Sequence, residues 1–192
     1  AEVNTVVSTL TSIENVKGTG FRDVIKGDKK ANVLDGSGGK DSLFGNGGKD
    51  LLNGGGGRDT LRGGNGADIL NGGRGDDILD GGAGNDILHG RNGKDLLFGS
   101  FGDDTLTGGG GRDTFEFLRF FLTTDDVPFP NGDDTITDFA ANEVIHIIDG
   151  SLSDVSVSNV GSDTVITYNG GKDTITLLDI DLDKAEINFD FF

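Results

Sequence analysis

The sequence predicts an all-β protein, namely a parallel β-roll with a short N-terminal capping coil and a C-terminal β capping region. Three observations support this fold class. Acidic residues recur with a nine-residue period, an apolar residue follows each of them in fixed phase, and 30 of the 35 glycines lie in the same stretch, residues 18–116. Because only 33% of the 192 residues are hydrophobic, an ordinary compact core is not expected.

The period contains eleven units without a slip. Aspartate recurs every nine residues from Asp23 to Asp113, and Asn32 is the single exception. Glycine opens every unit, and nine units also have a second glycine three places on. The apolar residues that lie two places after the acid are Ile25, Leu34, Leu43, Leu52, Leu61, Leu70, Leu79, Leu88, Leu97, Leu106 and Phe115. The consensus is therefore G-(G/x)-x-G-x-D-x-(L/I/F)-x.

Each position of the unit has a physical role. Glycine tolerates the positive φ of a tight turn and lets carbonyl groups approach one another without a Cβ between them. The residues D-x-(L/I/F)-x are predicted to be extended, so the apolar side chain points inward. Two units make one coil of 18 residues, and stacked coils place equivalent residues above one another about 4.8 Å apart. The first predicted column contains Asp41, Asp59, Asp77, Asp95 and Asp113, and the second contains Asp50, Asp68, Asp86 and Asp104.

The composition is also compatible with a disordered linker or with a metal-free solenoid. A Gly- and Asp-rich segment is often a disordered linker, but a linker has no reason to keep an apolar residue in phase eleven times. A metal-free solenoid would stack carboxylates that repel each other, by about 1 kcal/mol per pair at 4 Å in water and about 4 kcal/mol at an effective dielectric of 20. A hard divalent cation removes this repulsion, and a flexible set of carboxylate and carbonyl oxygens suits Ca²⁺ better than Mg²⁺.

The repeat resembles the RTX (haemolysin-type) calcium-binding nonapeptide family, whose motif is seen most clearly in GGRGDDILD (72–80) and GGAGNDILH (81–89). In that family, each Ca²⁺ lies between stacked turns and is bound by an aspartate from each turn and by backbone carbonyls. The resemblance implies that the nine column aspartates are metal ligands and that there are about seven complete Ca²⁺ sites. The first two units lack the second glycine, so Asp23 and Asn32 are not counted among the ligands.

The chain divides into three parts. Residues 1–17 are predicted to form an N-terminal cap, 18–116 the roll with eleven units of which nine are well formed, and 117–192 an acidic C-terminal β cap. Short strands are predicted at 114–122, 134–139, 143–148, 164–168 and 173–178, the last two as a hairpin. The final part resembles the C-terminal region of type I secretion substrates, so it is also predicted to contain a secretion signal. The family resemblance places the protein outside the cell.

The expected function is that of a calcium-binding module that folds on binding Ca²⁺ outside the cell and supports type I secretion. The alternative is a calcium-dependent carbohydrate-binding or adhesive module. No catalytic residues are predicted, although the chain could be the non-catalytic part of a larger secreted enzyme. Expected partners are calcium ions, the secretion machinery and an extracellular polysaccharide. The net charge of −17 argues against nucleic acid, and no apolar run is long enough to insert into a membrane.

Overall fold

A computed structural model describes residues 7–9, 14–118, 132–140, 143–148, 156–160, 163–168, 173–180 and 189–190. Throughout these ranges the regular elements are β-strands, as the sequence predicts. The ranges contain no helix that is long and apolar enough to cross a membrane.

The strands form two sheets that face each other across the roll. Sheet A contains β1 (Val7–Thr9), β3 (Val24–Lys26), β6 (Ser42–Gly47), β8 (Thr60–Asn65), β10 (Ile78–Ala83), β12 (Leu96–Phe101), β14 (Thr114–Leu118), β16 (Val144–Ile148) and β20 (Phe189–Asp190). Sheet B contains β2 (Asn15–Lys17), β4 (Val33–Asp35), β5 (Gly38–Gly39), β7 (Leu51–Gly57), β9 (Ile69–Arg74), β11 (Ile87–Gly93), β13 (Thr105–Gly111), β15 (Asp133–Ile136), β17 (Ser156–Val160), β18 (Asp163–Tyr168) and β19 (Asp173–Leu177). Within the array the chain alternates between the sheets, so consecutive units lie in opposite sheets.

The register confirms the 18-residue coil. In sheet A, Leu79 lies opposite Leu61 on one side and Leu97 on the other, and all three strands are parallel. Sheet B repeats the arrangement, with Leu88 between Leu70 and Leu106. The protein is therefore a parallel β-roll in which every residue of the array lies against its equivalent one coil away.

From β6 to β13 the strands are longer than the four extended residues that the sequence predicts. β10 begins at Ile78 and continues to Ala83, into the turn of the following unit. Successive turns have the same shape, so their main-chain groups also meet across the coils, as in the 2.8 Å bond from Gly75 N–H to the Asn92 carbonyl. Main-chain hydrogen bonding consequently runs around much of each coil and satisfies polar groups that a Gly-rich turn would otherwise leave unpaired.

Glycine recurs at the first and fourth positions of the unit for two different structural reasons. Gly57, at the fourth position, has φ of +132°, and a Cβ there would collide with the carbonyl oxygen of Gly39. Gly54, at the first position, has no such φ, but a Cβ would lie 2.6 Å from both Asp59 Oδ2 and the Gly72 carbonyl oxygen. The first glycine therefore leaves room for oxygen atoms that converge inside the turn.

The core is a single file of side chains between the two sheets. Every predicted inward residue from Leu34 to Phe115 is fully buried, and Ile25 is 2% exposed. The file continues beyond the array through Phe117, Ile136, Ile145 and Ile147. A thin core of one apolar residue per nine gives each unit little hydrophobic stabilisation of its own.

The C-terminal part continues both sheets. β14 crosses the boundary expected between residues 116 and 117, β15 pairs in parallel with β13, and β16 pairs in parallel with β14. The predicted hairpin is confirmed, because β18 and β19 are antiparallel neighbours. Residues 119–122 of the first predicted tail strand lie outside the described residues, as does most of the expected secretion signal.

The N-terminal part meets the first two units in the same way. β1 pairs in parallel with β3 over three residues, and β2 pairs in parallel with β4 over three residues. Each of these strands therefore takes the place that a preceding coil would occupy.

Neighbouring leucines in β12 provide a test of the inward face. Leu97 is fully buried, whereas Leu96 points to the outer face and is half-buried. We expect Leu97→Ala to lower the free energy of unfolding of the calcium-bound protein by about 2–5 kcal/mol, because it leaves a cavity in the file. Leu96→Ala, the matched control, should lower it by only about 0.5 kcal/mol. Urea denaturation in excess calcium measures both, and equal losses would contradict the assigned faces.

Candidate metal-binding site

Buried acidic residues form two columns along the roll, one at each turn edge. All nine aspartates predicted as ligands lie in the columns expected for them, and each is 3% exposed or less. The structure extends the first column to Asp23, and it adds Asn32 and Asp134 to the two ends of the second column. The columns therefore include the two incomplete units that the motif leaves in doubt.

One carboxylate oxygen of each column member is fixed by the main chain. The N–H of Asp59 donates to Asp77 Oδ1 at 2.8 Å, and the N–H of Asp77 donates to Asp95 Oδ1 at 2.8 Å. The same bond recurs at 2.7–2.9 Å along both columns. It links each coil to the next and orients every carboxylate in the same way.

The other oxygen has no hydrogen-bond partner although it is buried. This is true of the Oδ2 atoms of Asp41, Asp50, Asp59, Asp68, Asp77, Asp86, Asp95, Asp104, Asp113 and Asp134. A buried carboxylate oxygen without a partner costs free energy unless a cation or a proton compensates it. Its repetition in coil after coil indicates a ligand that the protein atoms do not supply.

Main-chain carbonyls meet the same oxygens. At eight glycines in the first position of the unit, the place that a Cβ would occupy lies close to both the Oδ2 of the following aspartate and a glycine carbonyl of the next coil; these are Gly18, Gly36, Gly45, Gly54, Gly63, Gly72, Gly81 and Gly90. Among the described residues, no three acidic or histidine side chains form a group that could hold a metal. A cation between the coils would therefore depend on aspartate oxygens together with carbonyl oxygens, which are the hard donors that Ca²⁺ prefers.

Burial raises the pKa of the column carboxyl groups. The pKa is about 6 for Asp41, Asp50, Asp95 and Asp104, and about 7 for Asp77 and Asp86. For Asp77, the loss of hydration is the largest cause; the N–H bond from Asp59 opposes it, and the charges of Asp59 and Asp95 add to it. The pKa of Asp134 rises to about 9, again through burial first and the charge of Asp104 second. Without a counter-charge, burial thus disfavours the ionised form of these carboxyl groups near neutral pH.

Sequence reasoning missed two acidic residues at column positions. Asp134 accepts the N–H of Asp104 at 2.9 Å, and Glu143 occupies the place that follows Asp113, since Val144 lies opposite Thr114. The motif was visible in GDDTI (132–136), which matches G-x-D-x-(L/I/F). The nine-residue step does not reach it, because Asp134 follows Asp104 by 30 residues instead of 18.

The raised pKa values predict that acid partly replaces metal. Each carboxyl group binds its proton more tightly in the roll than in the unfolded chain, where aspartate titrates near 3.9. The stabilisation from protonation is complete below about pH 4 and is lost as the pH rises through 6 to 7. We therefore expect the β signal of the metal-free chain in circular dichroism to grow between pH 7 and pH 4, in buffer freed of calcium by a chelating resin. A signal that stays constant or falls over this interval would contradict the pKa assignment.

Comparison with known proteins identifies the family of the repeat. The family model of the RTX calcium-binding nonapeptide repeat, which represents four copies, matches residues 17–52, 53–88 and 89–117. No curated protein sequence matches the chain. Among solved structures, the crystal structure of extracellular lipase LipA from Serratia marcescens is similar, with a TM-score of 0.37 and 19% identity, over 93% of this chain and 40% of the lipase. The chain thus spans less than half the length of that lipase. Because the family model covers more than half of its residues, the protein belongs to the RTX calcium-binding nonapeptide-repeat family.

Proposed function

We propose that this protein is a calcium-dependent folding module that is unfolded where calcium is scarce and folds into the roll outside the cell. The observation that supports the proposal is the row of buried Oδ2 atoms without partners in both columns. Calcium bound there supplies the positive charge that the buried carboxylates lack. The coupling of metal binding to folding then follows, because the site does not exist until two coils have stacked.

The ligand set in this proposal is the nine column aspartates, Asp41, Asp50, Asp59, Asp68, Asp77, Asp86, Asp95, Asp104 and Asp113. Each ion is shared by consecutive members of one column, which gives seven sites. The pairing is supported by the glycines from Gly36 to Gly90, at which an aspartate oxygen of one coil and a carbonyl oxygen of the next coil converge; the same convergence at Gly18 involves Asp23. Asn32 is left out of the set because it is uncharged, and Asp23 because its unit lacks the second glycine. Asp23 Oδ2 accepts the N–H and the hydroxyl of Thr19, while its Oδ1 is buried without a partner.

The three parts of the chain have separate roles in this proposal. Residues 18–116 hold the calcium, while 1–17 and 117–192 cover the two open ends of the sheets, which would otherwise offer unpaired strands to other chains. The strand pairs of β1 with β3 and of β15 with β13 support this division. The module itself is proposed to be non-catalytic and to form part of a larger secreted protein.

Export through a type I system is the part of the proposal that rests on family resemblance. An unfolded chain can be threaded through a narrow secretion channel, and millimolar calcium outside the cell then folds it. The signal is placed in the C-terminal part. Deleting residues 184–192 should abolish export while calcium binding by the array persists; unchanged export of the shortened chain would refute this placement.

A calcium titration followed by circular dichroism tests the main proposal. We expect a chain with little β signal in excess chelator and a sigmoidal gain of signal at about millimolar calcium, because an ion that joins two coils prepares the next site. Magnesium should substitute poorly, since it releases its water ligands reluctantly. A full β signal in chelator at pH 7, unchanged by calcium, would show that the roll needs no metal.

A second candidate function, calcium-dependent binding of an acidic polysaccharide, is favoured by the charge of one turn edge. The basic edge consists of five exposed side chains at the fifth position of alternate units, namely Arg22, Lys40, Arg58, Lys94 and Arg112. Stacking is supported by the bond from Lys94 N–H to Asp76 Oδ1 at 3.0 Å, since Asp76 holds this position in the intervening unit. In the described part of the chain, none of the five basic groups lies within 4.0 Å of a carboxylate.

Calcium would change the sign of the array's charge. Residues 18–116 contain 16 acidic and 12 basic residues, a net charge of −4. Seven bound divalent cations add 14 positive charges and bring the array to about +10 and the whole chain from −17 to about −3, so that a linear polyanion is attracted locally, along the basic edge. A calcium-dependent affinity is therefore a natural property of this edge.

Binding to polygalacturonate tests the second candidate. We expect retention of the calcium-bound protein on polygalacturonate but not on neutral dextran, and a loss of about tenfold in affinity when Arg58 and Lys94 are both changed to Gln, because each charge contributes through long-range attraction. Lys29 and Lys49, on the opposite turn edge, give the control pair. Equal retention of all variants would exclude the basic edge as the binding surface.

A further inference from the structure

The calcium-binding column continues beyond the region that matches the repeat family. Asp134 lies outside the matched residues, which end at 117, and 12 additional residues separate it from the place that the nine-residue step would reach. The main chain nevertheless reproduces the repeat. Asp104 N–H donates to Asp134 Oδ1 at 2.9 Å, as Asp86 N–H donates to Asp104 Oδ1 at 2.7 Å.

The residues around Asp134 also match a repeat unit. Thr135 N–H donates to the Asp104 carbonyl at 2.8 Å, and Ile136 lies opposite Leu106 and is fully buried. Gly132 takes the place of the second glycine, with φ of +103°, and a Cβ there would collide with the carbonyl oxygen of Gly102. Residues 132–136 are thus one half-coil of the roll, displaced in sequence by an insertion.

Asp134 is placed like a metal ligand. Its side chain is 1% exposed, and its Oδ2 atom has no hydrogen-bond partner, as is also true of Asp104 Oδ2. The acids that precede them in sequence, Asp103 and Asp133, are instead exposed, and Asp133 N–H donates to Asp103 Oδ1 at 3.0 Å. Within the described ranges, the ion pairs closer than 4.0 Å involve Asp35 and Asp80, so none of these four carboxylates is neutralised in that way.

An ion between Asp104 and Asp134 would lie at the junction of β13 with β15, where the array meets the C-terminal cap. β13 and β15 pair over only two residues, whereas β11 and β13 pair over six. β15 in turn holds β19 and the hairpin that β19 forms with β18. Among the described strands, the junction between array and C-terminal cap is thus a shorter ladder than those inside the array between β7 and β13, and a cation across it would add a crosslink where strand pairing is short.

We propose that Asp104 and Asp134 share an additional calcium ion that fastens the C-terminal cap to the end of the array. The proposal rests on the proposed function, since it requires that the column aspartates bind calcium. Glu143 is not part of it, because Glu143 Oε2 accepts the Ala140 N–H at 2.8 Å. Docking of the cap is then controlled by calcium through a site of its own.

The single tyrosine of the chain reports on this docking. Tyr168 lies in β18, is 1% exposed, and has its ring centroid 6.5 Å from that of Phe117 in β14. Because the chain has no tryptophan, tyrosine fluorescence follows the cap alone. Far-ultraviolet circular dichroism follows mainly the array.

The test compares full-length variants by bound calcium per chain, measured by equilibrium dialysis and elemental analysis, and by the two optical signals during calcium titration. Asp134→Asn keeps the acceptor for Asp104 N–H but removes the charge. We expect one calcium ion fewer per chain and a midpoint of the Tyr168 transition at about fivefold higher calcium, with the midpoint of the dichroism transition nearly unchanged. Asp133→Asn, the neighbouring control with the same change of charge, should leave the number of ions and both midpoints close to those of the wild type.

Two further variants separate the possible failures. Asp77→Asn lies inside the array and should lose calcium and raise the dichroism midpoint; if it behaves like the wild type, the proposed function itself fails. If Asp77→Asn loses calcium but Asp134→Asn binds as many ions as Asp133→Asn, the additional site is refuted and the proposed function stands. Should Asp134→Asn prevent the cap from folding at any calcium concentration, Asp104→Asn decides, because it leaves the cap sequence intact. Since Asp104 also belongs to the array site shared with Asp86, the Tyr168 midpoint must rise by more than the dichroism midpoint. Equal shifts of the two midpoints in Asp104→Asn would overturn the proposal.

Discussion

The two oxygens of each column aspartate are used differently, and the architecture depends on that difference. Oδ1 accepts the N–H of the equivalent residue one coil earlier, at 2.8 Å in the case of Asp59 and Asp77. The bond fixes both the spacing and the phase of the coils, so the inward leucines of successive coils lie opposite one another. Oδ2 is buried by the same arrangement and has no partner among protein atoms. The feature that aligns the coils thus also creates the demand for a cation.

The array was predictable in detail because its nine-residue period runs without interruption from Asp23 to Asp113. A fixed step of nine residues determines which leucines point inward and which aspartates share a column, and the registers of Leu79 with Leu61 and Leu97 agree with it. Asp134 was not predicted as a column member because an insertion interrupts the nine-residue step, although the motif around it, GDDTI, matches the repeat. The strand lengths were not predicted either, because they depend on hydrogen bonds between stacked turns, which the sequence of a single unit does not reveal.

The sequence predicts that the second position of the unit accepts many residue types, but the backbone conformation there favours glycine. Ser37, Asn46, Arg91 and Ser100 occupy this position with φ between +72° and +81°. A non-glycine residue is uncommon there because the left-handed region brings its Cβ close to the main chain. Asn46 gains some compensation, since its side-chain amide donates to the Gly27 carbonyl at 2.8 Å. Sequence alone suggests freedom of choice at this position, whereas the conformation imposes a small energetic cost on every residue except glycine.

Because one coil consists of two units, the geometry of the roll depends on whether the number of units is even or odd. Consecutive units lie in opposite sheets, so removing or adding a pair of units shortens or lengthens the roll and leaves both ends facing as before. Removing one unit would keep every local contact of the motif and yet move all the following strands to the other sheet. The cap that begins with β15 would then be turned by half a revolution relative to the N-terminal strands. The chain can therefore vary its length in evolution by 18 residues far more easily than by nine, even though nine is the period of its sequence.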